Sequence, residues 1–315
     1  MIMSSDTSAL PAGFVALIGQ PNVGKSTLMN AILGVKLAIA TSKPQTTRNR
    51  ILGVQTYPEK GQLCFVDTPG IHESSKRLNR ALNQTALQSL EEVDIVCHLV
   101  DAAAIAGWQR RSGEQGLPPD EEFVMRRLAQ QKVQPILVIN KVDALKDRLL
   151  ILPMIEELTK AGDYLDVVPL SALKGENLDR LVEVLLERLP NQGLLFPPDM
   201  LTDQAERFIA AEFIREQIME QTQKEIPYSV AVEIEKFQEN ERKGILEIAA
   251  VIHVERATQK GIIIGKNGAR LKAVGKAARK ELEKFFGRQV YLETFVRVEP
   301  RWSENPRQLG RFGYE

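Results

Sequence analysis

The sequence predicts an α/β domain, a mixed and mostly parallel sheet with helices on both faces, followed by a smaller α+β domain. Three observations carry this. Apolar, β-rich runs alternate with helical patterns from Phe14 to about Leu189. A glycine loop, Gly19-Gln20-Pro21-Asn22-Val23-Gly24-Lys25-Ser26, joins the first such run to the first helical stretch. Proline breaks at Pro190 and Pro197-Pro198 then end the alternation, and a different rhythm follows.

Residues 1–12 are expected to be a frayed, disordered start. Strands are expected at 14–18, 51–56, 62–67, 94–101, 135–140 and 165–170. Their near-continuous Val, Ile and Leu content suits a sheet covered on both faces. Helices are expected at 25–33, 76–92, 120–131, 146–160 and 177–189. Leu78, Leu82, Ala86, Leu90 and Val93 recur at helical spacing and read as core. The glycines and prolines of 102–119 suggest an irregular surface loop, a solvated insertion rather than a partner site for Trp108-Gln109-Arg110-Arg111. Beyond a linker at 191–202, the pattern is helix 203–225, strands 228–237 and 243–254, a short helix and loop at 257–268, helix 269–286 and strand 289–298.

Length and composition set bounds. The 315 residues suffice for two cores. The 41 basic and 41 acidic residues cancel, so a polyanion would have to be met by a local patch. Cys64 and Cys97 lie in apolar runs and lack metal-ligand spacing, so they read as buried thiols of a reducing compartment. The sequence shows no cleavable leader and no membrane-length apolar run, so a cytoplasmic protein is expected.

The glycine loop carries the first chemical signal. Strand, G-x-x-x-x-G-K-S and helix together form a phosphate-binding loop. Its backbone N–H groups converge on phosphate oxygens at the positive end of the next helix. Lys25 would reach the β- and γ-phosphates, the Ser26 hydroxyl would ligate Mg²⁺, and Thr27 continues the same turn. Asp67-Thr68-Pro69-Gly70 ends another apolar run, which places Asp67 near Mg²⁺ through a water and the Gly70 amide near a γ-phosphate. Asn140-Lys141-Val142-Asp143 ends a third. Guanine offers the Asp143 carboxylate an N1–H and an amine, and adenine has no such pair. Ser171-Ala172-Leu173 follows a fourth run, where the Ala172 amide could meet guanine O6. Four such motifs in this order indicate GTP binding and hydrolysis.

Between the loop and Asp67 lies Thr41-Ser42-Lys43-Pro44-Gln45-Thr46-Thr47-Arg48. A threonine here can close over γ-phosphate and Mg²⁺. Thr46 and Thr47 are adjacent, and the sequence leaves open which one does so. After Gly70 stands Ile71, where Ras-like enzymes carry a glutamine that orients water. Slow intrinsic hydrolysis follows unless another group or ion assists.

In the second half, Gly265-Lys266-Asn267-Gly268 opens a helix whose Leu271, Val274, Ala278, Leu282 and Phe285 share one face. Beside them run Lys272, Lys276, Lys280 and Lys284, with Arg270 and Arg279. A G-x-x-G loop between helices, followed by a basic helix, is the backbone clamp of a KH domain. Arg301, Arg307 and Arg311 in the tail suit phosphate contacts or a solvated end equally.

Together, Gly-Gln-Pro-Asn-Val-Gly-Lys-Ser, Lys-Pro-Gln-Thr-Thr-Arg, Asp-Thr-Pro-Gly-Ile-His, Asn-Lys-Val-Asp and Gly-Ile-Ile-Ile-Gly-Lys-Asn-Gly resemble the Era family of bacterial GTPases. The resemblance runs from about residue 13 to Trp302-Ser303-Glu304-Asn305. It implies a GTPase domain over 13–190, a type II KH domain over 203–299 and a tail over 300–315. It implies Lys25, Asn22, Thr46, Thr47 and Gly70 as catalytic residues, with Ser26, Thr47 and Asp67 toward Mg²⁺. The contact residues it implies are 19–27, 67–71, 140–143 and 171–173 for GTP, and 265–268, Arg270, Lys272, Lys276, Arg279 and Lys280 for RNA. It further implies K⁺ bound through Asn22, the 3′ end of 16S rRNA and the 30S subunit as partners, a monomer, and peripheral association with the inner face of the membrane. The competing reading is a signalling GTPase whose basic helix meets anionic lipid or a protein partner. A lipid-binding helix needs no G-x-x-G loop, which favours RNA.

Overall fold

Strands that are apolar on both faces need helices above and below, and this chain interleaves them accordingly. The computed structural model describes residues 10–43, 46–73, 77–113, 116–131, 133–223 and 226–312. Its contacts group into two units. One comprises the chain up to Ala38 together with Thr47–Asp203, and the other comprises Ile39–Thr46 together with the chain from Gln204 onward.

The first unit runs β1 (Ala12–Gly19), α1 (Lys25–Leu33), β2 (Ile51–Tyr57), β3 (Gly61–Asp67), α2 (Arg77–Gln88), β4 (Ile95–Asp101), α3 (Ala102–Ser112), α4 (Pro119–Gln130), β5 (Ile136–Asn140), α5 (Ile151–Ala161), β6 (Asp166–Pro169) and α6 (Leu178–Arg188). Among the described residues the sheet order is β2-β3-β1-β4-β5-β6, with only β2 antiparallel to its neighbour. β3 and β5 are buried along their whole length, as their Leu, Ile and Val content requires. Leu82, Ala86 and Leu90 are buried as expected; the side chain of Leu78 lies outside the described residues.

One expectation fails. Residues 102–112 form a helix, not a loop. Ala102-Ala103-Ala104-Ile105-Ala106 has the highest helix propensity in the chain's middle, and it outweighs Gly107. Asp101 caps the helix by accepting from the Ala104 N–H at 2.9 Å, and Gly113 ends it in the left-handed conformation at φ 71°. Ala102 and Ile105 are buried against Val100, Leu137 and Met154. The glycine read as a loop marker is a helix cap.

Of the start expected to be frayed, residues 1–9 lie outside the described residues, whereas Ala12 opens β1 and Pro11 bridges to Asn191. The stretch expected as a linker lies along the sheet edge. Buried Gln62 accepts from the Leu195 and Phe196 N–H groups at 2.9 Å each, the Val54 N–H donates to Leu201 O, and Thr202 Oγ1 donates to Leu52 O. An edge strand whose polar groups are covered in this way is shielded from pairing with another chain.

The second unit runs α7 (Glu206–Gln221), β7 (Val230–Asn240), β8 (Ile245–Val254), α8 (Ala257–Ile264), α9 (Ala269–Phe286), β9 (Gln289–Val298) and α10 (Pro306–Arg311). The sheet order is β7-β8-β9, with β8 and β9 parallel. Val274, Ala278 and Leu282 of α9 are buried, and Phe285 meets Phe213 of α7 edge-on at 5.4 Å. The tail is fastened rather than solvated. Trp302 is fully buried and donates to Ser229 O, and Phe312 packs on Trp302 and on His253 of β8. Arg311 forks onto Glu233 of β7 at 3.1 and 2.8 Å, so this arginine is engaged within the protein, while Arg301 and Arg307 are exposed. Among the described residues no helix is long and apolar enough to cross a membrane.

Candidate nucleotide and nucleic-acid sites

The four motifs of the first unit follow the C-terminal ends of β1, β3, β5 and β6, the edge at which parallel α/β sheets bind ligands. Gly24 enters α1 at φ 104°, and an added Cβ there would stand 2.3 Å from Asn140 Nδ2. A Cβ on Gly70 would stand 2.5 Å from the Pro21 nitrogen, so the second motif is pressed directly onto the loop. Only glycine fits either position.

The base motif braces the phosphate loop. Asn140 Nδ2 donates to Val23 O at 2.7 Å, and Lys141 Nζ donates to Asn22 O at 2.6 Å while pairing with Asp101. Asn140 Oδ1 accepts the N–H groups of Lys141 and Ala172, so the Ala172 amide is engaged within the protein. Asp143 is half-buried and accepts from Ser171 Oγ at 2.5 Å. Val142 is buried, and Leu173 is exposed. Thr68 is buried and donates to Leu17 O. Ile71 is fully buried among Ala16, Ile18 and Leu90, with its N–H on Gly19 O. It belongs to the core and cannot steer a water.

Lys25 is buried, with Nζ held by the carbonyls of Gly19 (3.2 Å) and Gln20 (2.9 Å). Burial pushes its ammonium down to about 8, against the pull of Asp67 and Glu121. Burial pushes the Asp67 carboxyl up, opposed by hydrogen bonds from Ser26 and Thr47 and by the Lys25 charge. Ser26 Oγ donates to Asp67 Oδ2 at 2.6 Å and lies 2.8 Å from Thr47 Oγ1, which itself reaches Asp67 at 3.2 Å. Thr46 turns elsewhere and bonds Thr41 Oγ1 and Lys43 O. The structure therefore brings Thr47, not Thr46, to Ser26 and Asp67. Asp67 Oδ1 is buried and makes no hydrogen bond among the described residues. Two hydroxyls and a buried carboxylate with a spare oxygen match the hard-oxygen donors that Mg²⁺ takes. Pro44 and Gln45 lie outside the described residues.

In the second unit, Gly265 (φ 72°), Asn267 (φ 52°) and Gly268 (φ 75°) all adopt positive φ between α8 and α9. This lifts Lys266 and Asn267 into solvent. Lys272, Lys276, Arg279 and Lys280 are exposed on α9, away from its buried stripe, whereas Arg270 folds back onto Ile262 O. Sequence reading missed Glu121, a buried acid that accepts from the side chain of Gln20. It also missed the Arg215–Glu212 pair of α7, whose buried guanidinium holds Thr46 O.

A family described as a 50S ribosome-binding GTPase matches residues 14–141, and the KH-domain family matches residues 225–303. GTPase Era of Geobacter metallireducens is 48% identical over 303 residues, covering 96% of this chain and 97% of that protein. GTPase Era of Xanthomonas axonopodis pv. citri is 45% identical over 314 residues, covering 99% and 100%. Two solved structures share the fold across 97% of this chain and 99% of theirs, each at TM-score 0.90 and 42% identity. One is an Aquifex aeolicus Era variant bound to GDP·AlF4⁻, and the other is Era with MgGDPNP and nucleotides 1506–1542 of 16S ribosomal RNA. With a phosphate loop braced by a guanine-type motif in one unit and a G-x-x-G loop in the other, this chain belongs to the Era family of GTPases.

Proposed function

We propose that the chain binds GTP with Mg²⁺, hydrolyses it to GDP and phosphate, and binds the 3′ end of 16S rRNA through its second unit, as a monomer acting in the cytoplasm during 30S subunit assembly. The observation that carries the nucleotide half is the convergence of Ser26, Thr47 and Asp67 beside Lys25 in a loop braced by Asn140 and Lys141. Lys25 would exchange the carbonyls of Gly19 and Gln20 for phosphate oxygens, which supply the negative charge its buried ammonium needs. Ser26 and Thr47 would ligate Mg²⁺ directly and Asp67 through a water, and the ion supplies charge neutralisation at the phosphates. Asp143 would read the base, with Ser171 holding its carboxylate.

Ile71 lies in the core, so orienting the attacking water falls to another group. We assign that part to K⁺ held by Asn22, which stands in the loop at φ 65°. Turnover is then expected to be faster in potassium than in sodium salts, and Asn22→Ala to abolish the difference while sparing GDP affinity. Equal rates in both salts would return the role to an RNA- or protein-supplied group.

The RNA half rests on the exposed Lys266-Asn267 tip and the basic row of α9, together with the rRNA-bound relative of the same fold. Gly265→Asp with Gly268→Asp places side chains and negative charge where a backbone phosphate must lie, so binding to RNA from the 16S 3′ end should fall at least about ten-fold. Neutralising Lys276 and Lys280 should instead weaken binding to all RNAs evenly and reduce the salt slope by about one per lost contact. Liposomes with anionic headgroups, assayed at the same salt, test peripheral membrane association. Wild-type RNA binding by the double glycine variant would exclude the loop as the clamp.

A further inference from the structure

Glu121 is a buried acid that the nucleotide motifs do not call for. Its residue is 1% exposed on α4, within a run of three acids, Asp120-Glu121-Glu122, of which it alone turns inward. Its Oε2 accepts from Gln20 Nε2 at 2.8 Å, and its Oε1 lies 2.8 Å from Nε2 of His98. His98, fully buried on β4, has Nδ1 2.9 Å from the Tyr164 hydroxyl and its ring stacked on Tyr164. The Tyr164 hydroxyl faces Nδ1 of His98 at hydrogen-bond distance, whereas Nε2 of His98 and Oε1 of Glu121 sit close together but out of line for a hydrogen bond. Burial and the nearby Glu121 charge hold the Tyr164 hydroxyl well above its ordinary value, so it remains a donor.

A buried carboxylate is costly even when paired, and an apolar side chain would fill the same space without that cost. The Tyr164–His98–Glu121 chain has one end outside the core. That end is Gln20, the second residue of the phosphate loop, whose own carbonyl accepts from Lys25 Nζ. Glycines leave such a loop free to sample many conformations, so side-chain anchors must hold it. Asn140 and Lys141 anchor the far half at Val23 and Asn22. Glu121 anchors the near half.

We propose that Glu121 is a positioning residue for the phosphate loop, acting through Gln20 and held in place by His98 and Tyr164. By fixing the first turn before nucleotide arrives, it sets how long a bound nucleotide is retained. This rests on reading residues 19–27 as the phosphate site.

The test is GDP release from the full chain, followed with a fluorescent GDP, alongside thermal denaturation without nucleotide. Gln20→Ala and Glu121→Ala should each speed release about ten-fold, the size expected for losing a hydrogen bond to a charged group. The double variant should be no faster than either single one, because both remove the same tie. Glu121→Gln, whose amide oxygen still accepts from Gln20 Nε2, should keep release within about two-fold of wild type. Glu121→Leu, which fills the space without the tie, should melt close to wild type without nucleotide yet release GDP as fast as Glu121→Ala, a result that separates positioning from packing. Multiplied effects in the double variant, or equal release by Gln20→Ala, Glu121→Leu and wild type, would overturn the proposal. Glu121→Leu and Gln20→Ala decide the matter even if Glu121→Ala does not fold. Lys25→Ala is the control for the underlying reading. If it retains GDP like wild type, residues 19–27 are not the phosphate site; if it loses GDP while Gln20→Ala and Glu121→Leu release it like wild type, only the role of Glu121 falls.

Discussion

Asp143 shows how much can rest on one carboxylate. Ser171 Oγ fixes its orientation from 2.5 Å, and Asn140, three residues earlier, belongs to the phosphate-loop brace. Asp143→Asn presents an amine to guanine's donors. GTP affinity should fall on the order of a hundred-fold, and preference should move to xanthosine triphosphate, whose carbonyl accepts from that amine. A competition titration reads this directly, and an unchanged GTP preference would remove Asp143 from the base site. At this scale the sequence was legible wherever spacing encodes chemistry, as in residues 19–26, 67–70 and 140–143. It was silent where neighbours share a chemistry. Thr46 and Thr47 differ only in which way the backbone turns them. Glu121 stands between two other acids at a helix start, where acids are ordinarily favoured by the dipole and stay in solvent.

Elements were legible when their hydrophobic period was strong, and this covers every strand of both sheets. Helix α3 was not legible, because glycine is at once a loop former and a helix cap, and only the alanine run before Gly113 distinguishes the two. The fastening of α10 was hidden for another reason. Its partners, Glu233 and His253, come from distant strands. That fastening is pH-sensitive. Burial holds His253 below its ordinary value, against the pull of Glu233 and with Arg311 and Arg297 nearby. Glu233, although pushed up by burial, is held below the carboxylate range by Arg311 and then by His253. Both groups bind fewer protons folded than unfolded, so their stabilisation is complete above the unfolded histidine value of about 6.5. The histidine part is lost as pH falls below that value, and the carboxylate part is lost at lower pH still. As pH falls from about 7.5 to about 5.5 the thermal midpoint of the second unit should therefore drop, which melts at each pH would read. His253→Gln should flatten that slope, and an equal slope in the variant would place the titration elsewhere.

Across the whole molecule, charge cancels, yet α9 gathers a basic row, so any affinity for a polyanion is local. The proline breaks made the division of the chain visible, but not that the second unit also takes in Ile39–Thr46 from inside the first half. That loan is invisible to periodicity because residues 39–46 are short, mixed in character and far in sequence from what holds them. Within the second unit the segment is pinned by Arg215 to Thr46 O, by Lys43 to the end of α7, and by the Ala40 N–H to Glu216. The consequence concerns birth rather than equilibrium. Arg215 is made 169 residues after Thr46, and at about 5–20 residues per second a ribosome needs roughly ten to thirty seconds to cover that distance. For that interval the segment lacks the α7 partners that hold it in the full chain. A chain ended at Asp203 should be nicked by proteinase K within 39–46, where the full chain is protected. Equal protection in both would show that the first half settles this segment on its own.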